Sequence, residues 1–181
     1  RGVEVEWDAD LTSGVTAQPN TVQQIVPGVW LREGDIKNEG HCNNIIIEMK
    51  DYLIVVDANF PSGARLAAAD AKKLSSKPIK YVFDTHHHGD HYLGNTAFEG
   101  ATLISSEMCR KMVLETGHEW LGSMERDIGR MLPGTKPLAA DVTYPEGTRT
   151  ETFIHDVRFV FWVPRGSHTI GDLLVHLPDD K

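Results

Sequence analysis

The segment THHHGDH, residues 85–91, gathers four of the chain's nine histidines and an aspartate into seven positions. In an extended backbone alternate side chains share a side, so His86 and His88 can converge on one ion while His87 points away. Gly89 lets the backbone turn sharply, which presents Asp90 and His91 in a different direction. Imidazole and carboxylate suit zinc, with iron or manganese as alternatives. Donors split between two directions can serve two neighbouring ions. The competing reading is a polar loop that happens to be rich in histidine. An affinity tag is excluded, because the run lies deep in the chain and is broken by Gly89 and Asp90.

The surrounding elements decide whether such donors can be held in place. The first twenty residues, polar and without sustained periodicity, read as a tail or peripheral strand, leaving residues 21–181 as one domain. TVQQIV (21–26), VWLRE (29–33), NNIIIEM (43–49) and YLIVVD (52–57) are strand candidates. Lys50-Asp51 is a tight turn between the last two, whose β-branched runs favour strand over helix. The period then changes: Ala64, Ala67, Ala68, Ala71 and Leu74 fall on one helical face between Pro61 and Ser76. Pro61 suits a first turn and Lys72, Lys73 and Lys77 suit the negative end of the helix dipole. IKYVFD (79–84) follows as a strand, so strand–helix–strand predicts a parallel pair. The histidine run begins where that strand ends, and open α/β sheets bind ligands beyond the carboxyl ends of their strands.

ATLISS (101–106) predicts a further strand, and 106–131 a mainly helical stretch interrupted near Gly117 and Gly122. Residues 133–147 read as loop; TETFIHD (150–156) and VRFVFWV (157–163) as a hairpin; LLVHLP (173–178) as a last strand. Hairpins early and strand–helix alternation later imply an α/β fold with a mixed sheet.

Length and composition set the outer bounds. One domain with a sizeable core fits 181 residues, and 40% hydrophobic with 24% charged residues is ordinary for a soluble globular chain. A net charge of -8 argues against a nucleic-acid backbone as partner, which requires Lys and Arg to release counterions. No apolar run is long enough for a membrane-spanning helix. Two cysteines make no disulfide framework. The chain opens on Arg1, so the compartment stays open between the cytoplasm and a periplasmic or secreted location after loss of a signal peptide.

The pattern H-x-H-x-D-H after an apolar strand, here His86, His88, Asp90 and His91, resembles the metallo-β-lactamase superfamily. YLIVVDANF (52–60) resembles that family's earlier strand ending in aspartate, at Asp57; GSHTIGDLLVHLP (166–178) resembles its next metal motif, at His168. The resemblance covers roughly Val26 to Lys181. It implies an αββα sandwich with a mixed sheet, of which the first half and its crossing are present and the second half is missing or incomplete. It also implies that His86, His88 and His168 hold a first ion and that Asp90 and His91 belong to a second, with Asp90 also steering the attacking water. Asp57 and Asp84 would orient ligands or the loop, a turn or capping role being the alternative for each. The family's bridging aspartate and final histidine have no counterpart here, since Asp179 and Asp180 after Pro178 read as a turn.

The implied activity is metal-dependent hydrolysis of a small β-lactam, lactone, ester or thioester by a metal-bound hydroxide, with up to two zinc ions. An iron-dependent redox enzyme of the sulfur dioxygenase type and a non-catalytic metal-binding half-domain are the alternatives. A dimer or a complementing C-terminal segment would complete the sandwich. The polar tip REGDIKNEGHCNN (32–44) overhangs the substrate by this resemblance, or is a plain hairpin. Trp30 and Trp162 are expected in the core or a groove, and His118, His155 and His176 on the surface or in the core. Cys42 and Cys109 are expected to pack as small apolar side chains.

Overall fold

β-Branched runs parted by short polar turns build the first half of a sheet. The strands β1 (Val22–Val26), β2 (Val29–Arg32), β3 (Asn44–Glu48) and β4 (Leu53–Val56) pair antiparallel in chain order. The computed structural model describes residues 18–35, 37 and 42–179; the expected tail through residue 17, part of the 32–44 tip and Asp180 lie outside the described residues. Helix α1 (Pro61–Leu74) then crosses to β5 (Ile79–Phe83), which lies parallel to β4. β6 (Thr102–Ser106) and β7 (Val142–Tyr144) continue the parallel half, giving a seven-stranded mixed sheet in chain order. A second sheet holds β8 (Arg149–Ile154), β9 (Val157–Trp162) and β10 (Leu174–His176), all antiparallel with β9 in the middle.

Period-two alternation sorts the central strands between two cores. On one face Leu53, Val55, Val82 and Leu103 pack against Ala64, Ala67 and Ala71 of α1, whose small side chains let the helix lie close. On the other face Ile54, Phe83 and Ile104 meet Phe159, Phe161, Val163 and Leu173 from the second sheet. Phe161 is the centre of this contact, its ring 5.2 Å from that of Phe83 and 4.9 Å from that of Tyr144. The layers are therefore helix, sheet and sheet. Among the described residues no helix covers the outer face of the small sheet, where Phe153 and Trp162 are 65% and 48% exposed. No helix among the described residues is long and apolar enough to cross a membrane.

Two expectations are corrected. Helix α3 (Glu107–Ile128) follows the short α2 (Gly89–Tyr92) and runs unbroken through Gly117 and Gly122. Gly117 serves close packing there, since a Cβ would stand 2.6 Å from Pro137 Cβ. β7 occupies part of the stretch expected as loop; three residues framed by Asp141 and Pro145 are too few for a periodic signal.

The site-bearing turns are fastened to this frame by backbone. After β4, Ala58 N–H donates to the His91 carbonyl at 2.7 Å, and Gly94 N–H donates to the Asn59 carbonyl at 2.9 Å. Gly94 lies in a 3-10 segment, Leu93–Ala97, and any Cβ there would meet the Asn59 carbonyl at 2.7 Å and the Ala58 carbonyl closer still.

If the two sheets are held by this aromatic contact, Phe161→Ala lowers unfolding free energy by about 3–5 kcal/mol in urea titration. A loss below about 1 kcal/mol would mean that the small sheet is not docked as described.

Candidate metal centre

The carboxyl ends of β4 and β5 lie side by side, and the donors stand just beyond them. His86, His88 and His168 offer ring nitrogens that all lie within 4.8 Å of one another. Their ring centroids are 4.7 Å (His86–His88), 4.8 Å (His86–His168) and 5.0 Å (His88–His168) apart. The His91 ring lies 4.0 Å from that of His86, and Asp90 Oδ2 is 3.3 Å from His91 Nε2. All five donor residues expected at the site are thus gathered in one place.

Thr85 and Asp57 contact two of the rings, those of His86 and His91. Asp57 Oδ1 accepts from Thr85 N–H at 2.8 Å, and Oδ2 accepts from Thr85 Oγ1 at 3.0 Å and faces His91 Nδ1 at 2.9 Å. Thr85 Oγ1 is in turn 2.9 Å from His86 Nδ1. Asp57 sits at φ 64 and Asn59 at φ 67, left-handed values that Asp and Asn tolerate better than most residues. Asp84 faces the segment after the histidine run rather than the rings. It is 1% exposed, accepts from Asn95 Nδ2 at 2.8 Å and bonds none of the donor residues, so it ties the end of β5 to the 3-10 segment.

His168 arrives from far along the chain on a turn with its own fastenings. Asp172 accepts from Thr169 N–H at 3.0 Å and from Thr169 Oγ1 at 2.6 Å. Leu173 N–H donates to the Thr85 carbonyl at 2.7 Å. Ser106 Oγ, which caps α3 by accepting from Cys109 N–H, donates to the Gly171 carbonyl at 2.6 Å. Gly89 begins α2 without a positive φ; its missing Cβ makes room for Leu93 Cδ1, 3.0 Å from where that atom would be.

Electrostatics favour lone pairs on His86 and His88. Burial, followed by the charge of neighbouring His91, pushes His86 down to about 4, and burial followed by His168 lowers His88. Both are neutral imidazoles near pH 7, the form that ligates metal. Burial opposes a charge on His91, but hydrogen bonds to Asp57, Asp90 and Cys42 outweigh it and raise its pKa. Burial foremost pushes the Cys42 thiol up to about 11. Burial likewise holds the Asp84 carboxyl well above the usual range.

These residues fit a zinc ion. His86 is buried, and among the described residues its Nε2 has no hydrogen-bond partner, a costly state for a buried polar atom unless something ligates it. Small ring rotations bring three nitrogens this close onto one ion at the usual distance of about 2.0–2.1 Å. Nδ1 of His86 is engaged by Thr85 and Nδ1 of His91 by Asp57, the arrangement by which partners of a ligating imidazole fix its orientation.

The metallo-beta-lactamase superfamily profile matches residues 38–181. The chain belongs to this superfamily, whose fold is of the metallo-hydrolase type. A metallo-beta-lactamase from Cronobacter sakazakii (a motif mutant) aligns with a TM-score of 0.64 at 22% identity, covering 90% of this chain and 62% of its own. One from Hirschia baltica gives 0.64 at 20% identity, covering 90% and 68%. A sec-alkylsulfatase from Pseudomonas sp. gives 0.67 at 16% identity, covering 87% of this chain and 29% of its own. No curated protein matches the chain. The chain therefore spans about three-fifths of the Cronobacter sakazakii enzyme's length.

Thr85, Ser106, Asp172 and Cys42 are the site residues that reading the sequence missed. Thr85 directly precedes the histidine run and Asp172 lies four residues after His168, so adjacency was the available signal.

Asp57→Asn keeps the size of the side chain but removes its charge and one acceptor oxygen. The expected result is a loss of about 10–100-fold in zinc affinity, measured by competition with a chromophoric chelator. Unchanged affinity would show that Asp57 does not orient the ligands.

Proposed function

We propose that this chain carries the metal-binding part of a zinc-dependent hydrolase acting on a small carbonyl substrate, a β-lactam, lactone, ester or thioester. The observation that supports it most is the convergence of His86, His88 and His168 around the buried Nε2 of His86, which has no partner among the described residues. A zinc ion held there supplies Lewis acidity and lowers the pKa of a water from 15.7 to about 7.

The protein's own groups supply the rest. His86, His88 and His168 would hold the ion through their ring nitrogens. Asp90, beside these rings on the first turn of α2, is the group placed to orient a water and to take its proton at a carboxylate oxygen. Asp57 and Thr85 keep the rings from swinging away as charge develops. Trp120 of α3 stands 5.3 Å from His88, an aromatic wall against which an apolar part of the substrate rests. The bare outer face of the small sheet fits completion of the sandwich by a further segment or a second copy.

The test uses the zinc-loaded chain with a chromogenic β-lactam, an aryl ester, a lactone and an acyl thioester. Hydrolysis of at least one is expected, abolished by a chelator and restored by zinc. His86→Ala should lose bound zinc and turnover together. Full turnover in chelated protein would overturn the proposal, and iron with oxygen consumption would replace it by the redox alternative.

A further inference from the structure

Beside the three-imidazole group lies a second set of donors. Cys42 Sγ, an Asp57 carboxylate oxygen and a His91 ring nitrogen all lie within 4.8 Å of one another. Both oxygens of Asp57 are already engaged by Thr85 and His91, so this carboxylate stands behind the His91 ring as its support. Asp90 Oδ2 approaches the same ring at Nε2, 3.3 Å away. The thiol of Cys42 and the carboxylate of Asp90 thus both lie by the His91 ring, whose other neighbour is the buried His86 ring, 4.0 Å away.

Cys42 is not packed as a small apolar side chain. Cys109 is: it is 1% exposed among Tyr92, Leu93 and Val113. Among the described residues Cys42 belongs to none of the hydrophobic clusters, and its Sγ lies 3.2 Å from the Asn43 carbonyl and within hydrogen-bonding reach of His91. Its backbone is nonetheless firmly held. Asn59 Nδ2 donates to the Cys42 carbonyl at 2.6 Å and to Asn44 Oδ1 at 2.9 Å. Asn44 Nδ2 donates to the Asp57 carbonyl at 2.6 Å. Asn44 and Asn59 are 1% and 0% exposed, so this network fixes the start of β3 against the end of β4 and delivers the sulfur to His91.

We propose that Cys42 is a metal ligand, its thiolate joining His91 and Asp90 to hold a second ion beside the three-histidine position. This rests on the metal reading of His86, His88 and His168 and adds a donor from the loop before β3. The thiol releases its proton to solvent as the sulfur–metal bond forms. A thiolate selects zinc over manganese, because manganese favours carboxylate and carbonyl oxygen.

Cobalt(II) titration of the full chain distinguishes the two positions. Histidine-bound cobalt gives visible ligand-field bands; a cobalt–thiolate bond adds an intense near-ultraviolet charge-transfer band. Both are expected in the wild type. Cys42→Ser should lose the near-ultraviolet band and keep the visible ones, while Cys109→Ser should keep both. Visible bands without the charge-transfer band in the wild type, or that band surviving in Cys42→Ser, would overturn the assignment and leave the three-histidine position standing. Absence of every band in the wild type would sink both. A second measurement avoids any folding defect in the variants: iodoacetamide labelling of the wild type, read by peptide mass spectrometry. Zinc should abolish alkylation of Cys42, and equal labelling with and without zinc would overturn the proposal.

Discussion

The carboxylate of Asp57 ties the start of the histidine run to the end of the neighbouring strand. Its two oxygens take the Thr85 amide, the Thr85 hydroxyl and the His91 ring, so the ends of two neighbouring parallel strands and one donor imidazole share a single anchor. Hydrogen bonds to a charged group are worth about 1.5–3 kcal/mol each. That exceeds the cost of about 1–3 kcal/mol for one residue held in a sparsely populated backbone region. The φ of 64 at Asp57 is therefore tolerable, and it turns the carboxylate across the strand end.

The geometry of the donors is a consequence of the frame more than of any contact among the rings. Ala58 is bonded to the backbone of His91, Leu173 to that of Thr85, and Gly171 to the Ser106 side chain. None of these bonds uses a donor ring. His168, eighty residues beyond His88, is brought in by the strand ends themselves. A site supported in this way loses little entropy on binding, because its partners are already ordered.

The same physics explains what could be read in advance. His86, His88, Asp90 and His91 were legible because ligand chemistry demands particular residue types at short spacing. The apolar runs of β3, β4 and β5 and the alanine face of α1 were legible because burial imposes periods of two and 3.6. His168 and Asp57 required a family resemblance, since a single polar residue in a turn carries no period. Thr85, Ser106 and Asp172 act through single hydrogen bonds that exist only once distant turns meet. Asp84 could be read as orienting ligands, the loop or a turn, and its bond to Asn95 exists only once the 3-10 segment has folded against β5. Gly89 was expected for its backbone freedom and instead clears space for Leu93. Cys42 looked like filler because its neighbours in space, Asp57 and His91, lie well away along the chain.

The layers set how such a site is used. The first sheet is covered on both faces, by α1 and by the small sheet, while the outer face of the small sheet retains exposed Phe153 and Trp162. The metal group draws donors from turns beside both sheets. Its central requirement is one cation shared by three imidazoles, and crystals of the zinc-loaded chain test that directly. Anomalous difference maps from data taken on either side of the zinc edge should place a peak within about 2.0–2.1 Å of nitrogens of His86, His88 and His168. Zinc in the crystals with no peak among those three rings would contradict it.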